Sequence, residues 1–142
     1  MRKLAILAAL PALAGAASGD ALKPDVVIHA PGAFTFSVTF VNDQPVLGAP
    51  KPAKVGTSVA EDGEIFISVL ASGLAPYAKF TVVEKTPRPI DFVITGLIDT
   101  IKIDEVEVCG RVGAVIAGKI AAGAHLLSLN RFAPQKDGAS CP

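Results

Sequence analysis

Three observations predict an all-β fold, a single antiparallel β-sandwich. Apolar and polar residues alternate with a period of two, most clearly in Phe34-Thr35-Phe36-Ser37-Val38-Thr39-Phe40. Turn residues punctuate the short apolar runs, with 13 Gly and 11 Pro in 142 residues. Val, Ile, Phe and Thr are plentiful, whereas the chain has one Met and no Trp, a profile that suits strands joined by tight turns. A small β-barrel is the runner-up, because period-two patterning is the same in both architectures.

The N-terminal residues 1–17 read as a cleaved export leader. Arg2 and Lys3 form a positive n-region, residues 4–10 a short apolar core, and the Ala/Gly-rich run to Ala17 offers small residues for cleavage between about 14 and 18. The apolar run ends at Pro11, at about half the roughly twenty residues that a bilayer-spanning helix needs, so no transmembrane anchor is expected after leader removal. Residues 18–142 are then one domain, roughly 125 residues long and large enough to bury a core of its own. The chain has 13 basic and 13 acidic residues. Removing Arg2 and Lys3 leaves 11 against 13, a net charge of −2, with no electrostatic footprint for nucleic acid or for anionic lipid.

Two cysteines, Cys109 and Cys141, are an even count with one pairing, and in an oxidising compartment they predict a disulfide. Cys141 is the penultimate residue, so the bridge would tie an otherwise fraying C-terminal tail to a strand.

The strands follow in order. Residues 26–29 make a short first strand ended by Pro31-Gly32. In 33–41, Phe34, Phe36, Val38 and Phe40 face one way and Thr35, Ser37 and Thr39 the other. Asn42-Asp43-Gln44-Pro45 opens a Pro-rich loop expected to run to Lys54 and to cross between sheets. Residues 55–70 predict a hairpin around Asp62-Gly63, with Gly56, Ser58 and Ala60 opposite Ile65, Ile67 and Val69. Strands are expected at 80–85 and 90–95, separated by Thr86-Pro87-Arg88-Pro89, and a longer one at 98–110. There the apolar phase switches from Ile101 and Ile103 to Val106 and Val108, which predicts a bulge or tight turn at Asp104-Glu105. Residues 112–117 and 125–132 complete eight or nine strands, and 121–124 lacks the length and caps for a helix.

Gly73-Leu74-Ala75-Pro76-Tyr77-Ala78-Lys79-Phe80-Thr81-Val82 resembles the corner leading into strand F of fibronectin type III and other immunoglobulin-like sandwiches. The resemblance implies an immunoglobulin-like architecture and nothing about function. It departs at Phe80, which lacks the hydroxyl that would bond back to the corner backbone.

No G-x-S-x-G elbow or phosphate loop is present, so no catalytic or cofactor-binding residue is assigned. His29 and His125 lack metal-ligand spacing, and no metal site is expected from them. Asp99, Asp104, Glu105 and Glu107 form the densest acidic set, an acidic-patch candidate for a weak cation site that is better explained as a solvated strand face. Glu61, Asp62 and Glu64 read the same way. Asp91 is expected in an ion pair with Arg88, Arg111 or Arg131.

The expectation is an extracytoplasmic, periplasmic or secreted, non-catalytic protein that acts by surface binding, assembly or a structural role. Its partner would be another protein or surface component, with strand exchange as one route to self-assembly. The alternative is a carrier of a small apolar ligand in a barrel cavity of about 300 Å³ or more lined by Phe34, Phe36 and Phe40. An envelope enzyme ranks third.

Overall fold

Alternation of apolar side chains needs two partners, another sheet on the greasy side and water on the other, and the computed structural model of the chain supplies both. It describes residues 26–54, 59–71, 76–136 and 141. The expected leader at 1–17 lies outside the described residues, as do Gly56 and Ser58 of the expected hairpin, Gly73 to Ala75 of the corner, and 137–140 of the tail.

Among the described residues ten strands form, all paired antiparallel: β1 (Val26–His29), β2 (Gly32–Val41), β3 (Gln44–Leu47), β4 (Lys51–Pro52), β5 (Glu64–Ala71), β6 (Tyr77–Glu84), β7 (Ile90–Ile98), β8 (Ile101–Val108), β9 (Val115–Ala121) and β10 (Leu126–Pro134). One sheet has the order β1-β10-β7-β8 and the other β3-β2-β5-β6-β9, with β4 also pairing β2. The two sheets pack as a β-sandwich. Their order differs from the ABED/CFG arrangement of immunoglobulin domains, since here the first and last described strands are neighbours in one sheet. No helix of the described residues is long and apolar enough to cross a membrane.

The core lies between the sheets. Phe36, Ile65, Ile67 and Val82 from one sheet meet Ile90, Phe92, Ile94, Leu127 and Leu129 from the other, all essentially without solvent exposure. Each such side chain contributes about 1.5–3 kcal/mol of transfer free energy. Phe132 joins them, stacked on Phe92 at 4.8 Å between ring centroids and edge-on to Phe36 at 5.9 Å. It does so because β10 slips its register between Asn130 and Ala133. Arg131 there takes φ +57°, and the extra residue turns Phe132 inward while Arg131 stays exposed.

Several boundaries differ from the sequence expectation. Asn42-Asp43 is itself the tight turn, with φ of +52° and +65° at its two centres as a type I′ hairpin requires, and it joins β2 to β3. Residues 45–54 are therefore not one loop, because β3 and β4 both edge β2. The prolines are tolerated there since an edge strand leaves half its N–H groups unused. Asp62-Gly63 does make a turn, closed by Glu64 N–H to Glu61 C=O at 3.0 Å, but only Gly63 has positive φ. No hairpin results, because β5 is flanked by β2 and β6 on its two sides. Ala60 instead packs with Ala33, Phe66 and Val83 in a second small cluster. The expected stretch 98–110 divides at Asp99-Thr100, where Ile98 pairs Ile101 in a hairpin. The bulge falls at Ile103, one residue earlier than expected, as Gly96 pairs Asp104 while Leu97 pairs Lys102. The strand expected at 112–117 begins at Val115, and the one expected at 125–132 runs Leu126–Pro134.

Candidate functional site

Chemistry concentrates at the end of the sandwich where β6 and β8 finish and β7 begins. The disulfide Cys109–Cys141 is formed there, with 5.6 Å between Cα atoms and 32 residues of separation. The Gln135 side-chain amide donates to Asp91 Oδ1 at 2.9 Å and to the Gly110 carbonyl at 3.0 Å, and lies 3.3 Å from Cys109 Sγ. Asp91 Oδ1 also accepts the Gly110 N–H at 2.8 Å. This corrects the expected ion pair. Arg88 reaches Asp43 instead, and Arg131 lies 3.8 Å from Glu105. Gly110 is required by its close approach, because a Cβ there would sit 2.3 Å from the Ile90 carbonyl oxygen.

Glu84 is the residue at this end that the sequence reading missed. Its side chain is fully buried at the end of β6, where Oε1 accepts the Ile90 N–H at 3.0 Å and Oε2 has no partner. Burial pushes its carboxyl up from 4.5 to about 8, against the lowering effect of the Ile90 hydrogen bond and with a further upward push from Asp91. The group is thus a neutral acid at pH 7. A signal was present in the sequence: period-two alternation through Phe80 and Val82 carries Glu84 to the same inward face.

The acidic set is spread along β8 instead of gathered. Asp99 occupies the β7–β8 turn at φ +55°. Asp104 Oδ1 accepts the Glu105 N–H at 2.8 Å, and its Oδ2 accepts the Ala121 N–H at 2.7 Å, which ties the edge strand of one sheet to the edge strand of the other. Glu105 lies 3.6 Å from Lys102. Glu107 pairs Val93 in register and, with Asp91 and Arg131, flanks a shallow depression of about 470 Å³. Among the described residues no three His, Cys, Asp or Glu side chains come together as metal ligands.

The fold brings His29 at the end of β1 close to His125 just before β10, but turns the two side chains apart. His29 pairs Leu126, and the Ala30 N–H donates to the His125 carbonyl at 2.8 Å. Alternation leaves His29 exposed on the outer surface, whereas His125 lines a cleft between the sheets. That cleft, about 210 Å³, opens at the end opposite the disulfide among Ala30, Ala71, Ala78, Ile120 and Ala124. It is not the lumen expected around Phe34, Phe36 and Phe40, since Phe36 is fully buried against Phe132 and the other two pack on the same core.

No family model, curated protein or solved structure matches the chain.

Proposed function

We propose that this is an exported, non-catalytic β-sandwich that works outside the cytoplasm by binding a protein or surface component through its sheet edges. The supporting observation is that each sheet-edge strand displays an exposed branched residue: Val27 on β1, Val46 on β3, Ile101 on β8 and Val115 on β9. Strand edges with apolar side chains beside them are surfaces to which another chain can add. The Cys109–Cys141 disulfide supports the oxidising, extracytoplasmic location. Within the sandwich class, the immunoglobulin-like type gains no support from the strand order.

Export is tested by expressing the full chain and sequencing the N-terminus of the protein in each fraction. A species beginning between residues 15 and 19 in the extracytoplasmic fraction is the expected result, and a full-length, reduced, cytoplasmic species overturns it. Edge binding is tested by co-purification from the native envelope or medium with Val27→Asp, Val46→Asp, Ile101→Asp and Val115→Asp. The partner is expected to be lost from at least one variant; retention by all four refutes the edge reading.

A further inference from the structure

We infer that the cleft opposite the disulfide is a binding site for a compact apolar molecule of one-ring size with a hydrogen-bonding head group at His125. This goes beyond the edge-binding reading and does not depend on it.

The lining decides the ligand chemistry. Ala30, Ala71, Ala78 and Ala124 present methyl groups, Ile120 closes the floor, and among the described residues His125 is the polar side chain of the lining. Three backbone donors around the cleft are already used. Ala30 N–H bonds the His125 carbonyl, His125 N–H bonds the Leu97 carbonyl at 2.9 Å, and Ala122 N–H bonds the Pro76 carbonyl at 3.1 Å. Those bonds connect the β1–β2 turn, the β9–β10 connection, β7 and the entry to β6, so the walls hold one another in place without a ligand. A lining made mostly of methyl groups favours an apolar guest.

Size narrows the class. Apolar cavities of about 150 Å³ accept benzene, and this cleft has about 210 Å³. One ring with a small substituent fits, and a steroid or a full acyl chain does not. The exposed imidazole at the rim can donate to or accept from a hydroxyl or carboxyl on the ring.

The probe is 4-methylphenol, titrated into the full-length protein and followed by amide chemical shifts. Saturable shifts at Ala71, Ala78, Ala124 and His125 are expected. Ala124→Leu, which fills the cleft, is expected to weaken binding by about tenfold or more, and Ala78→Leu provides the same test from the opposite wall. His125→Ala should weaken 4-methylphenol but leave toluene unchanged. Shifts that fail to saturate, or that persist in both filled variants, overturn the inference. So does the absence of any response to the probe.

Discussion

The two ends of the sandwich solve the same problem by opposite means. Where the strands run out, their backbone groups and inner side chains must be covered. At the disulfide end the cover is polar and covalent: Gln135 and Asp91 clamp Gly110, the Cys109–Cys141 bridge ties the tail, and a neutral Glu84 holds the Ile90 N–H. At the other end the cover is a ring of backbone hydrogen bonds around small side chains, which leaves space. The surfaces follow suit. Ile98 and Ile101 stand exposed beside the cleft-end turn, whereas Glu61, Asp62, Asp43 and Arg88 crowd the other end. The lesson is that rigidity and room are allotted to different ends of one core.

Substitutions can break or sharpen that contrast, and the largest effect belongs at Gly110. Gly110→Ala drives a methyl into the Ile90 backbone and is expected to cost on the order of 3–5 kcal/mol in urea unfolding, or to prevent folding. Cys141→Ser opens the 32-residue loop and should lower stability by roughly 3–4 kcal/mol by the same measurement.

Glu84 gives the contrast a pH signature. Its folded pKa of about 8 lies above the ordinary 4.5, so between these values the fold retains a proton that the unfolded chain has lost. The stability it contributes is fully present below pH 4.5 and is lost as pH climbs to about 8. Melting temperatures of wild type and Glu84→Gln should therefore converge at pH 5 and separate at pH 9, with the amide variant the more stable. Equal pH dependence in both would show that Glu84 is ionised in the fold.

Smaller effects test the seam and the cleft. Asp104→Ala releases the Ala121 N–H and should cost about 1–2 kcal/mol. His125→Ala, at the exposed cleft rim, should change stability by no more than about 0.5 kcal/mol. A cost at His125 as large as that of Cys141→Ser would erase the difference between the ends.

What was legible in the sequence was whatever a single strand decides by itself. The alternation of Phe34 to Phe40 marks β2 because one face is buried and the other is wet, and the phase switch in β8 marked a bulge to within one residue. Pairing was less legible, since it depends on distant segments. Asp62-Gly63 carries the local chemistry of a hairpin, yet β5 finds its partners in β2 and β6. Asn42-Asp43 was hidden by Pro45, a residue that reads as loop and is harmless on an edge strand. The disulfide was legible by parity alone. Gln135 and Gly110 were not, because their roles exist only once the tail lies beside β8.

Asp104 has one more consequence, for how copies of this molecule can meet. A sandwich offers two flanks along which foreign strands can zip, and on one of them the Asp104 carboxylate already holds the Ala121 N–H of the β9 edge. An incoming strand that pairs along β9 must therefore displace that carboxylate or stop short of Ala121.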